Sequence, residues 1–150
     1  MANQHHLELL KQGTESWNRW RSVHRTTIPD LSEANLEDID LHKANLSGAN
    51  LQNTFLIAAN LCGANLSRAD GRSTLLYKAN LRRANLSHAD LTGADLTGTC
   101  LNGANLIHAT FWEAVLKGTI FGGGYVSGAV FRRVDLSEKD LKKVQGATLY

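Results

Sequence analysis

The chain has little cysteine, no surplus of charge and no long apolar run. Two cysteines in 150 residues, Cys62 and Cys100, are too few for a disulfide framework and lack metal-ligand spacing. Sixteen basic against fourteen acidic residues give a net charge of +2, so no general pull toward nucleic acid or anionic lipid is expected. No apolar stretch approaches the ~20 residues that a membrane-spanning helix needs. The opening MANQHHLELLKQ has neither a basic start nor a long apolar core, so a secretory leader is not expected and the cytoplasm is the default compartment.

What is present is a beat of five. Counting from Leu31 to Leu141 gives 23 central positions, of which eighteen are leucine and three are Phe111, Phe121 and Phe131. Gly71 and Val126 are the exceptions. Two residues before most centres stands a small residue, alanine fourteen times and threonine four times, with Pro29, Ile39, Gly124, Val134 and Lys139 as departures, and Asn or Asp is common in between. A period of five fits neither the 3.6 of a helix nor the 2 of a flat strand. It fits a chain that turns a corner once per repeat, with the small residue and the leucine facing inward and the residue between them facing out. One such repeat cannot bury its apolar pair alone, whereas stacked coils can.

This Ala-Asn/Asp-Leu-x-x pattern resembles the pentapeptide repeat family over roughly residues 29–141. The resemblance implies an all-β solenoid, a right-handed quadrilateral β-helix of about six coils, with residues twenty apart stacked at ~4.8 Å. It divides the chain into an N-terminal helical cap over 1–28, the β-helix over 29–141 and a C-terminal cap over 137–150. The stretch LLKQGTESWNRWR also resembles the helical leader of many bacterial, especially cyanobacterial, members.

Both ends of a solenoid need covering. Leu7, Leu10, Trp17 and Trp20 lie at helical spacing and are the candidate capping residues. Gly13-Thr14 suggests two short helices with Thr14 as a new N-cap. Lys139 falls on an inward site that no unpaired charge tolerates, so the regular coil should end near Leu136. Ser137 and Asp140 have capping-box spacing, and Leu141, Val144 and Gly146 suit a short C-terminal helix. An extra β rung is the alternative.

Outward residues sort into columns by twenties. Asn45, Asn65, Asn85 and Asn105 form a stabilising ladder beside Ser47, Ser67 and Ser87. Arg68, His88 and His108 form a column without the further ligands a metal requires, so no metal or other cofactor is expected. Cys62 and Cys100 should lie about 10 Å apart, beyond disulfide reach, and remain free thiols. Lys43, Arg82 and Arg83, with Lys142 and Lys143, make a small basic patch that lacks interleaved aromatics, so nucleic-acid binding is not expected.

One column departs from the polar rule. Phe55 should sit under Leu75, and Ile57 under Tyr77, with Val115 further along. Phe55, Ile57, Leu75 and Tyr77 together approach ~400 Å², a size at which an exposed patch usually signals interaction. Gly71 removes a central leucine in the same region, and Gly122, Gly123 and Gly124 interrupt a later repeat. No nucleophile–base set emerges, so an enzyme is not expected. The reading is a rigid scaffold or protein-binding module with an unidentified protein partner, a monomer or weak homodimer, off the membrane. The family's best understood branch resembles DNA and binds DNA gyrase. That alternative needs a long acidic surface, whereas here acids gather early (Asp30, Glu33, Glu37, Asp38, Asp40) and later coils are basic. Assembly with itself is the third reading.

Overall fold

The computed structural model describes residues 1–137, 140, 148 and 149. Helix α1 spans Gln4–Lys11 and helix α2 spans Thr14–Val23. Asn3 caps α1 by accepting the His6 N–H at 3.2 Å. Gly13, not Thr14, is the residue before α2; its φ of 103° is a conformation that favours glycine, and no side chain caps that helix.

From Asp30 to Val130 the chain winds in twenty-residue turns. Parallel bridges join Asp30 to Asn50, Asn35 to Phe55, Asp40 to Asn60 and Asn45 to Asn65, and the same offset continues to Thr110–Val130. Five complete turns lie between the first and last bridged positions. Each Asx position is bonded on both sides: Asn65 donates its N–H to Ala44 O at 2.9 Å, and its carbonyl accepts the Leu46 N–H at 2.7 Å.

Every five residues a tight turn makes the corner. In the turn from Leu46 to Ala49, for example, the Ala49 N–H closes onto Leu46 O at 3.1 Å. The third turn residue takes positive φ, as a type II turn demands. Glycine fills some corners, but among the described residues thirteen carry a side chain at φ between 53° and 61°, including Ala58, Lys78 and His88. Left-handed backbone costs such residues roughly 1–2 kcal/mol each, so the rest of the repeat must hold the corner shut.

The Asn or Asp does so. Its side-chain oxygen accepts the N–H two residues on: Asn45 from Ser47, Asn50 from Gln52, Asn65 from Ser67 and Asn85 from Ser87, at 3.1 to 3.2 Å. This Asx turn satisfies the one corner amide that the stacked backbone does not use. The coil-to-coil amide ladder expected from the sequence also exists, with Asn80 Nδ2 donating to Asn60 Oδ1 at 3.2 Å and Asn85 to Asn65 at 3.4 Å. It is secondary to the turn-closing bond, which recurs far more often.

Inside, the leucine and alanine columns are almost wholly buried. The inward threonines 54, 74, 99 and 119 keep their hydroxyls satisfied by donating to the carbonyls of Leu31, Leu51, Leu76 and Leu96 at 2.7 to 2.9 Å. Phe111 and Phe131 stack face to face at 4.7 Å, with Phe121 edge-on to Phe131.

The C-terminal end loses the beat gradually. Regular pairing reaches Val130 and Arg132, which accept from Phe111 and Glu113. At the next corner the Leu116 N–H goes to the Asp135 carboxylate at 2.6 Å instead of a carbonyl. Strand β1, Val130–Phe131, then pairs in parallel with strand β2, Thr148–Leu149, at an offset of eighteen. The sequence count predicts nearly six coils; five keep the twenty-residue register and the remainder steps out of it. Ser137 and Asp140 are bonded as a cap, Oγ to carboxylate at 2.6 Å and N–H to Oγ at 3.2 Å. The expected helix residues Leu141, Val144 and Gly146, like Lys139, lie outside the described residues.

Candidate functional site

The N-terminal end is sealed by α1 and α2. Leu10 and Trp17 are buried in the core, and Leu7 and Trp20 pack against it half-buried. Hydrophobic cover is only part of the seal. In the first coil there is no lower neighbour, and leader side chains take its place. Asn45 O accepts the Trp17 Nε1–H at 2.8 Å and Ser47 O accepts from Arg21 at 2.9 Å, where one coil up Asn65 O and Ser67 O accept backbone N–H groups. The Asn45 N–H donates to Asn18 Oδ1 and the Asp30 N–H to His6 Nδ1. Sequence reasoning named the apolar half of this cap and missed His6, Asn18 and Arg21. The signal was their spacing: Arg21 lies four residues after Trp17, and Leu10 four after His6, on the same faces.

His6 must be unprotonated at Nδ1 to accept that bond, and burial indeed lowers its affinity for protons. Arg21 is also buried, which lowers its pKa; its guanidinium is held by the carbonyls of Thr27, Ser47 and His24. The leader's hydrogen bonds to the coils reach residues 30–33 and 43–47.

The apolar column stands beyond those contacts. Parallel bridges run Asn35–Phe55–Leu75–Asp95–Val115, so Phe55 lies directly beneath Leu75 and Asp95 separates Leu75 from Val115. The Ala58 N–H donates to Tyr77 O at 2.9 Å, placing the Ile57 corner beneath the Tyr77 corner. Phe55 is 39% exposed, Tyr77 38% and Val115 41%; Leu75 and Ile57 are half-buried. Lys78 Nζ lies 5.0 Å from the Tyr77 ring centroid.

These apolar residues occupy the position at which Asn or Asp closes the corner. The side chains of Phe55, Leu75 and Val115 have no oxygen to offer, and the N–H groups of Ile57, Tyr77 and Lys117 form no hydrogen bond among the described residues, whereas the Thr97 N–H is held by Asp95 at 2.9 Å. The substitution spreads in the last full turn, where Val115, Ile120, Tyr125 and Val130 take all four Asx positions. Ile120 and Tyr125 are exposed, as is Trp112, over which Arg132 stacks at 5.2 Å. The same column sorting that found Phe55 and Leu75 would have found this belt.

The other sequence candidates resolve simply. Beside Gly71 a small apolar void is lined by Leu51, Leu56 and Leu91 among others, and a Cβ built on Gly71 would meet Leu91 Cδ2 at 2.8 Å. Leu91 thus leans into the space of the missing leucine. At Gly124 a Cβ would lie 2.8 Å from Ala104 O, so glycine lets this coil approach its neighbour closely. The His88 and His108 rings pack at 5.0 Å, and no group of three metal-ligating side chains occurs among the described residues. Cys62 and Cys100 are free.

A parallel solenoid of five-residue turns, with side chains displayed in vertical rows, defines a repeat protein. The chain belongs to the pentapeptide repeat family, whose pattern of pentapeptide repeats matches in eight copies across residues 30–68, 56–87 and 74–112. Proteins of this family are generally structural or interaction proteins, and its solved members imply a right-handed quadrilateral β-helix. A pentapeptide repeat protein of the Arabidopsis thaliana thylakoid lumen is 29% identical, with 73% of this chain and 72% of that one aligned at a TM-score of 0.46. HetL, a pentapeptide repeat protein involved in heterocyst differentiation regulation in the cyanobacterium Nostoc sp. strain PCC 7120, is 33% identical over 69% of this chain and 60% of its own, at a TM-score of 0.37. QnrB1, a plasmid-mediated fluoroquinolone resistance protein, is 17% identical over 81% and 79%, at a TM-score of 0.54, a likeness of fold. Comparison with curated proteins finds no match. Among the described residues no helix is long and apolar enough to cross a membrane.

Proposed function

We propose that this chain is a non-catalytic interaction module that binds another protein through the strip Phe55, Ile57, Leu75 and Tyr77, extended across Asp95 to Val115. One observation carries the reading. At Phe55, Leu75 and Val115 the repeat forgoes the Asx bond that closes its corners and leaves part of each side chain in water. Each forgone bond is worth about 1 kcal/mol, and the exposed surface invites association. A scaffold with no partner gains nothing from that exchange, whereas a protein-binding face gains its anchor. Tyrosine and phenylalanine on a rigid backbone suit that role, because little side-chain entropy is lost on docking.

The test is affinity capture with the wild type and a Leu75→Asp/Tyr77→Asp variant. Partners lost by the variant, with its circular dichroism unchanged, support the strip as the binding face. Identical partner sets from a folded variant reject it. Light scattering on the same pair separates a foreign partner from a second copy: a mass that falls to the monomer only in the variant assigns the strip to self-association. The gyrase alternative is tested by DNA supercoiling, and the uneven charge predicts no inhibition.

A further inference from the structure

A second feature lies half a turn away, on the side opposite the apolar strip. Between the end of α2 and the columns of residues 45–48, 65–68 and 85–88 is a groove of about 610 Å³. Its floor is the Asn65, Asn85, Ser67 and Ser87 ladder; its walls are Arg21, Arg25, Arg68 and His88. None of its lining residues is acidic.

The three arginines differ in how they are held. Arg21 is 5% exposed, bonded only to neutral oxygens, and its Nε has no partner, so a full positive charge sits beneath the groove without compensation. Arg25 uses its Nε on Ser22 O at 3.0 Å, which fixes the side chain and leaves both terminal nitrogens unengaged. Among the described residues the Arg68 guanidinium makes no hydrogen bond, and neither do the Ser67 and Ser87 hydroxyls. No carboxylate pairs with any of the three arginines; the arginine ion pairs among the described residues are Arg72–Asp70 and Arg133–Glu113.

Elsewhere Arg72 and Arg133 are paired with carboxylates, and Lys78 and Arg132 lie over aromatic rings. Here the three arginines converge on one concavity with hydroxyl donors between them. Convergent guanidinium forks and hydroxyls are the donor set that recognises a multiply charged oxyanion, and a low-dielectric wall strengthens the attraction. Three uncompensated charges exceed what one carboxylate can balance, and the groove is large enough for a phosphorylated small molecule.

We infer that this groove, formed by Arg21, Arg25, Arg68 and His88 over the Ser67–Ser87 ladder, binds the phosphate group of a small anionic ligand. The ligand would bridge the leader to the first, second and third coil corners on this face, so its binding also pins the N-terminal cap.

Titration calorimetry with inorganic pyrophosphate and with inorganic phosphate, at matched ionic strength, tests the site. Saturable one-to-one binding of pyrophosphate is expected, weakened at least tenfold in Arg25→Gln/Arg68→Gln and unchanged in Arg82→Gln/Arg83→Gln, a basic pair outside the groove. Binding of both anions assigns the site to a single phosphate group; binding of pyrophosphate alone assigns it to a diphosphate. Circular dichroism and thermal melting confirm that both variants fold. No saturable binding of either anion, equal weakening in the two double variants, or wild-type affinity in Arg25→Gln/Arg68→Gln would overturn the inference.

Discussion

Two faces of the same prism are built from the same backbone and differ in one position. On the face of Asn45, Asn65 and Asn85, each side chain bonds the amide two residues on and closes its corner. On the face of Phe55, Leu75 and Val115 the corner has the same positive φ, at Ala58, Lys78 and Gly118, but that bond is missing. The inward leucines beneath both faces are equally buried. The fold therefore tolerates an apolar outward residue without needing one. What the polar face spends on its own closure, the apolar face leaves available for a partner.

That comparison can be probed at decreasing depth. Beneath the surface the two faces should respond alike. Leu86→Ala under the polar face and Leu76→Ala under the apolar one should each lower unfolding free energy by about 2–5 kcal/mol in urea titrations. A several-fold disparity between them would show that the core, too, distinguishes the faces.

At the Asx position the faces should diverge. Asn85→Ala removes both the Ser87 bond and the contact with Asn65, and should cost about 1 kcal/mol. Leu75→Ala, which removes no hydrogen bond, should cost less. Equal losses would mean that Leu75 packs as tightly as a core residue.

Amide exchange reads the corners one at a time. The Ser67 and Ser87 amides, bonded to Asn65 and Asn85, should exchange more slowly than those of Ile57 and Tyr77. Uniform protection across all four would remove the physical basis of the contrast.

The smallest effect concerns pH. Asp70 accepts two bonds from the Arg72 guanidinium, at 2.8 and 2.7 Å, besides the corner bond from the Arg72 N–H, and the guanidinium bonds chiefly hold its carboxyl below the ordinary carboxylate range despite partial burial. A lowered folded pKa stabilises the protein above the ordinary aspartate value, and that contribution disappears as pH falls through and below it. Asp70→Asn keeps the corner-closing oxygen and loses the charge, so its stability should vary less between pH 6 and pH 3 than that of the wild type. The His6–Asp30 cap bond has the same sign: the lowered His6 pKa means that it weakens as the medium turns acidic.

Much of this was readable before any coordinates. Leucine at one position and alanine two before it fixed the inward columns, since only that alternation buries both on an extended segment. The family resemblance added the twenty-residue stacking, and with it the meeting of Phe55 with Leu75. Three features stayed hidden for physical reasons. The turn-closing role of Asn and Asp depends on backbone φ at the next corner, which composition does not display. The polar half of the N-terminal cap, Asn18 and Arg21 on the first-coil carbonyls, depends on where the helices dock. The eighteen-residue register at Val130–Thr148 depends on a slip that the five-residue count obscures. Ile120 and Tyr125 were legible too, since both stand at the outward position where Asn or Asp is usual.

The account stands or falls on whether the apolar strip serves the fold. The decisive measurement is the unfolding free energy of a Phe55→Asn/Leu75→Asn/Tyr77→Thr variant, which writes the ordinary polar repeat across this face. Regained corner bonds should offset lost surface contacts, leaving stability within about 1 kcal/mol of the wild type, a shift of roughly 2–4 °C in melting temperature. A loss of several kcal/mol would make the strip part of the core and contradict the binding role assigned to it.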